Sequence, residues 1–150
     1  MSDKETDDYY KNHGYHDRKP VYIDEKDLRT DQLDRLTKSK TFCMIPWIHM
    51  HAFPNGQAFP CCLADSHHPI GHLHKNTVKE VWNDTPYKTM RKNMLEEKSC
   101  KECTKCYEQE DMGFVSMRNS SNKNFGNNIG IVDQTLEDGT FEDFKLRYYD

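Results

Sequence analysis

The chain has 150 residues, 35% of them hydrophobic and 31% charged, with a formal charge of -4 and a mean hydropathy of -1.02. That length holds one domain, or a small domain with tails, and so little apolar material cannot fill a large core without help from a metal site or from segments that stay unstructured. Scattered lysines on a negative chain give no nucleic-acid signature, and no apolar run approaches the ~20 residues of a membrane span.

The N-terminus, MSDKETDDYYKNHG, is polar and acidic, unlike a signal peptide. A cytoplasmic location follows as an expectation, and there the six cysteines serve metals or redox chemistry rather than disulfides. Residues 1–27 read as an unstructured tail without periodicity. In 28–41, Leu28, Leu33 and Leu36 fall near helical spacing, which predicts a short amphipathic helix and a linker.

All six cysteines lie between Phe42 and Tyr107: Cys43 alone, the pair Cys61-Cys62, and Cys100, Cys103 and Cys106 in CKECTKC. Between the first two places the sequence predicts a β-hairpin. An apolar run from Trp47 to Phe53 leads into Pro54-Asn55-Gly56-Gln57, and a second run, Ala58 to Cys62, leads back. Asn-Gly supplies two residues that tolerate positive φ in a tight turn. Such a hairpin lets Cys43 and Cys61 meet, and CKECTKC need only fold back beside them to complete a four-thiolate site. Adjacent cysteines on a strand diverge, so one of Cys61 and Cys62 ligates; the residues leave open which.

A loop with His67, His68, His72 and His74 follows, with a short strand or turn at Ile70 to Leu73. Asn76 or Thr77 can cap a first helix with Val78, Val81 and Trp82 on its apolar side. Asp84 or Thr85 can cap a second, with Pro86 at its first position and a buried stripe of Tyr87, Met90, Met94 and Leu95. After CKECTKC another helix ends near Gly113. Residues 120–150 read as an extension with a turn at Asp138-Gly139 and a final alternating strand through Phe144, Leu146 and Tyr148. The fold class is α+β: a hairpin followed by short helices around a cluster.

Thiolates in closely spaced turns are the donor set of iron-sulfur clusters. Zinc takes four Cys, or Cys with His, usually from two separated CxxC knuckles, and only the triplet here is knuckle-like. His49 and His51 would share one face of a strand, and with His67, His68, His72 and His74 they form the alternative zinc donor pool. Trp47, Phe59 and Tyr107 are candidates for an apolar shell, although core packing accounts for them equally well. No acid-base pair stands out; Glu108 and Glu110 read as surface residues.

Cys43, Gly56, Cys61 and a downstream CxxC, together with FCMIPWIHMH, PNG, FPCC, PIGHL, VKEVWN and CTKCYEQEDMGFVSMR, resemble the auxiliary-cluster domain of radical S-adenosylmethionine enzymes, called SPASM, or twitch in its single-cluster form. The resemblance covers Phe42 to Asn119. It implies a [4Fe-4S] cluster on Cys43, Cys61, Cys103 and Cys106, with Cys62 and then Cys100 as less favoured substitutes. The last cysteine run of a full SPASM domain is missing, which speaks against a second cluster. Radical S-adenosylmethionine catalysis needs CxxxCxxC, and the chain offers only CxxCxxC. The resemblance therefore implies a module without its engine, truncated or split, ending near where a catalytic barrel would start. It would partner a radical S-adenosylmethionine domain or protein acting on a peptide, protein or other substrate, by electron transfer or substrate positioning. The alternative is a structural zinc module for protein interaction.

Overall fold

A computed structural model describes Lys4 and residues 23–142 of the chain. Most of the expected tail, and the strand expected through Phe144, Leu146 and Tyr148, lie outside the described residues. The tail's last residues are structured: Glu25–Asp27 make a 3-10 turn capped by the Asp24 carboxylate, and Ile23 packs against the core. Helix α1, Thr30–Thr37, follows. Gln32 Oε1 accepts the Arg29 N–H at 2.9 Å, closing its first turn, and Leu36 carries its buried face, with Leu28 partly buried beside it.

From Phe42 to Trp47 every residue is buried. The strand expected to begin at Trp47 begins only at His51. Ile45–Trp47 is a 3-10 turn instead, and the carbonyls of Pro46 and His49 go to side chains rather than to a neighbouring strand. Arg91 Nε donates to the Pro46 carbonyl at 2.9 Å, and the Tyr87 hydroxyl donates to the carbonyl of His49. Pro46 also fixes φ and has no N–H to offer a ladder. His49 therefore precedes the strand, and only His51 lies on it.

The hairpin pairs β1, His51–Ala52, with β2, Gln57–Phe59, antiparallel, with His51 opposite Phe59 and Ala52 opposite Ala58. Gly56 N–H bonds the Phe53 carbonyl at 2.9 Å and Phe53 N–H bonds that of Gln57 at 3.0 Å. Pro54 and Asn55 thus occupy the middle of a type I turn, and Gly56, at φ 89°, is the left-handed bulge residue. Asn55 does not need the positive φ expected of it. A third strand, β3, Gly71–His72, pairs antiparallel with β2. Glycine is required at 71, because a Cβ would stand 2.6 Å from Val81 Cγ1.

Helix α2, Val78–Trp82, starts with a capping box: Thr77 Oγ1 accepts the Glu80 N–H at 3.1 Å and Glu80 returns a bond to the Thr77 N–H at 3.0 Å. Val81 and Trp82 are buried, but Val78 faces solvent, 44% exposed, rather than the apolar side. Helix α3, Thr85–Leu95, is capped by Asp84, with Pro86 second rather than first. Its stripe of Tyr87, Met90 and Met94 is buried, as is Arg91 on the same side; Leu95 is only partly covered. Burying each of the two methionines contributes about 1.5–3 kcal/mol.

After a 3-10 turn, Lys101–Cys103, come α4, Thr104–Asp111, closed by Gly113 at φ 84°, and α5, Met117–Phe125, capped by Ser116. A 3-10 helix over Gly126–Gln134 then returns across α1 and α5, burying Ile129 and Val132. The turn at Asp138-Gly139 is present, and Phe141 beyond it packs on Trp82. Ile129, Val132 and Phe141 share one core with Phe42, Trp47 and Tyr87, so residues 120–142 pack as part of the same body. Among the described residues no helix is long and apolar enough to cross a membrane.

Candidate metal centre

Four of the six thiols reach one place by different routes. Cys43 stands just before the 3-10 turn at Ile45, whose backbone N–H is aimed at its sulfur. Cys61 follows β2 and Pro60, and receives the Leu63 N–H in the same way. Cys103 is the N-cap of α4 and Cys106 lies in the first turn of that helix, so the i, i+3 spacing puts both on one side. The Cys106 sulfur in turn meets the backbone N–H groups of Arg118 and Met117, the opening residues of α5.

Cys43, Cys61, Cys103 and Cys106 line a single cavity, of about 370 Å³ with its open mouth included. The rest of the wall is mostly apolar, built by Ile45, Leu63, Met90, Met94 and Met117 with two prolines. Glu102 and Arg118 complete it. Trp47, Phe59 and Tyr107 do not line it. Trp47 donates to Thr135 Oγ1 at 2.7 Å, Phe59 sits in the packed interior, and the Tyr107 hydroxyl accepts the Cys100 N–H at 3.0 Å. The shell is made of methionines and aliphatic side chains, so the Met stripe of α3 serves core and cavity together.

Neither Cys62 nor Cys100 faces this space. Cys62 is exposed; Cys100 is buried, with Sγ 3.7 Å from the Met90 carbonyl and a contact to the Cys103 thiol. The described histidines also stand apart from the cavity wall. The His49 and His51 rings are 6.2 Å apart, those of His72 and His74 5.4 Å apart, and His67 pairs with Asp65 at 2.8 Å. Among the described residues no group of three or more His, Cys, Asp or Glu is placed to hold a metal ion. The four thiols surround a volume rather than converge on a point.

Burial raises Cys43, Cys61 and Cys106 above their ordinary range, and each is raised further by neighbouring charge from the set. Cys61 is pushed up to about 11. For Cys103 the contact with the Cys100 thiol is the larger cause, and burial comes second. Backbone N–H groups on three of the sulfurs, and the Tyr107 hydroxyl on Cys103, work the other way by favouring thiolate. Four thiols on one apolar cavity, already supplied with hydrogen-bond donors, fit an iron-sulfur cluster, which is held by thiolates and tuned by such donors.

Sequence reasoning missed Arg118, Glu102 and Asn122, and it read Glu110 as a surface residue. Glu110 is instead the ion-pair partner of Arg118, whose side chain is 5% exposed. The only sequence signal for the pair was an acidic helix followed by an arginine in the next capped helix, and nothing in that pattern says which charges are buried.

Residues 43–107 match the SPASM family model, described as an iron-sulfur cluster-binding domain. No curated protein and no solved structure matches the chain.

Proposed function

We propose, from the premise that residues 43–107 are a SPASM iron-sulfur cluster-binding domain, that the chain holds one [4Fe-4S] cluster on Cys43, Cys61, Cys103 and Cys106 and serves a radical S-adenosylmethionine enzyme. The observation that carries this reading is the shared cavity of those four thiols, with Cys62 and Cys100 outside it. When bound, such a cluster supplies a one-electron redox centre. The chain's own residues do the rest. Ile45, Leu63, Met117 and Arg118 direct backbone N–H groups at sulfur, and Tyr107 adds a hydroxyl. Met90, Met94 and Met117 keep water off the cavity wall.

With a thiolate for each iron the site has no open position, which favours electron transfer or substrate positioning over direct coordination of a substrate. These 150 residues contain no CxxxCxxC, so the thiolates that bind S-adenosylmethionine come from outside them. A peptide or protein is the substrate class that the family resemblance supports.

Anaerobic purification or reconstitution, followed by an absorption spectrum and iron, sulfide and zinc analysis, tests the reading. A brown protein absorbing near ~400 nm with about four irons and four sulfides is expected. Cys43→Ser, Cys61→Ser, Cys103→Ser and Cys106→Ser should each bleach it, and Cys62→Ser and Cys100→Ser should not. A colourless protein carrying about one zinc would overturn it.

A further inference from the structure

Among the described residues the cavity wall carries one cation, Arg118, and one carboxyl side chain, Glu102. This guanidinium is held from both sides. Nη1 donates to the carbonyls of Ser39 and Phe42, each at 2.9 Å, on the segment that leads into Cys43. Nε donates to Glu110 Oε2 at 3.0 Å and Nη2 closes on Oε1, on the helix that carries Cys106. Ser116 Oγ, the cap of α5, donates to the same carboxylate at 2.8 Å. The residue is 4% exposed. Arg118 therefore cannot swing away, and a fixed positive charge in the wall has a fixed negative charge behind it.

A cluster on four thiolates is net negative, and its potential depends on that charge and on the fields around it. In a dry wall, fixed charges act far more strongly than they would in water. Resting on the cluster reading above, we propose that Arg118 raises the reduction potential of the centre held in this cavity and that Glu110 opposes it, the pair together setting the poise. The step concerned is the gain of one electron from a low-potential donor, dithionite in the test. Dithionite splits at its S–S bond into sulfur dioxide radical anions, each of which gives up one electron and is hydrated to sulfite with release of protons to the buffer. The centre itself becomes one unit more negative, with no bond broken in it. Arg118 favours that more negative form.

The test is a mediated redox titration of the loaded full chain, followed by electron paramagnetic resonance, with iron and sulfide counted in every sample. Arg118→Gln should lower the midpoint by about 59 mV, a tenfold change in the oxidised-to-reduced ratio at fixed potential. Glu110→Gln should raise it by a similar amount, and Arg118→Lys, which keeps the charge, should stay near wild type. Opposite signs are the signature, because a loosened or wetter site would move both variants the same way. Loaded variants with unmoved midpoints, or with shifts of one sign, would overturn the tuning proposal and leave the cluster reading intact. Should Arg118→Gln fail to load, Glu110→Gln decides alone: a midpoint at or below wild type overturns the proposal. A wild-type chain that takes up no iron or sulfide overturns the cluster reading, and the tuning proposal with it.

Discussion

Asn122 holds the backbone on both sides of Cys43: its Oδ1 accepts the Met44 N–H at 3.0 Å and its Nδ2 donates to the Phe42 carbonyl at 2.9 Å. One amide side chain on α5 thus acts as a strand partner for the residue that opens the cysteine set. Asn122→Ala leaves the buried Met44 N–H without that partner, which costs about 1–3 kcal/mol. The Phe42 carbonyl keeps Arg118 Nη1, so the damage should centre on Met44 and on the placement of Cys43. Denaturant unfolding of Asn122→Ala, with iron counted per chain, should show lower stability and lower loading together. Loading equal to wild type in a destabilised variant would mean that Cys43 is placed by other contacts.

Arg91 is buried and, among the described residues, bonds to carbonyl oxygens rather than to a carboxylate. It donates to the carbonyls of Pro46, Trp82 and Gly139 and to Asn83 Oδ1, at 2.8–3.2 Å. Its guanidinium lies 4.7 Å from the Trp82 ring centre and 4.6 Å from that of Tyr87, and burial brings its pKa down to about 10. These bonds tie α3 to the turn beside Cys43 and to the segment after Gly126–Gln134. Arg91→Met should cost about 3 kcal/mol or more, since several buried acceptors lose a charged donor at once. Arg91→Lys should recover little of it, because a single ammonium cannot serve carbonyls on three sides. Guanidinium unfolding of the three proteins checks this; near-equal midpoints would contradict it.

The elements legible in the sequence were those with local causes. Pro54-Asn55-Gly56 gave the hairpin, Asn76 or Thr77 marked the start of α2, and Asp84 or Thr85 that of α3, because turn and cap chemistry is written within a few residues. The cysteine spacing left open which thiols act together; it was the family resemblance that implied the four found lining the cavity. What stayed hidden depends on partners outside the local turn: the carbonyls at Pro46 and His49 that belong to Arg91 and Tyr87, the grip of Asn122 on the Cys43 backbone, and the pairing of buried Arg118 with half-buried Glu110. A polar residue on a helix reads as solvated until its partner, elsewhere in the chain, is known. Trp47, Phe59 and Tyr107 fit a shell or ordinary packing equally well by sequence, and none of them lines the cavity, which is closed by flexible methionines that fill irregular space.

Thiol burial gives the metal-free protein a pH signature. Burial holds the Cys61 thiol up at about 11, against 9.0 for an unperturbed thiol, and Cys43 and Cys106 are raised as well. A raised folded pKa means that the unfolded chain sheds its proton first. Stability present below pH ~9 is then lost progressively as pH rises toward ~11. Thermal melts of metal-free protein from pH 8 to 11 should fall across that window, and Cys61→Ser should flatten part of the fall. Loading runs against this trend, because thiols give up protons to bind metal and reconstitution therefore weakens as pH drops. A metal-free melting temperature that stays level from pH 9 to 11 would contradict the buried-thiol account.

Tyr107 links the two cysteines of the CKEC segment: its hydroxyl accepts the Cys100 N–H at 3.0 Å and favours thiolate at Cys103. Tyr107→Phe keeps the ring and removes both bonds, leaving the Cys100 N–H short of its partner. The expected cost to folding is about 1 kcal/mol. The larger effect should fall on the centre, which loses a hydrogen bond to one of its sulfurs and should bleach faster under air or chelator while starting from wild-type loading. Cys62→Ala makes the contrast. Its side chain is exposed and lies outside the cavity, so it should leave both stability and the bleaching rate close to wild type. Timed decay of the visible absorption in the two variants separates the roles; equal rates would place the Tyr107 hydroxyl among ordinary packing contacts.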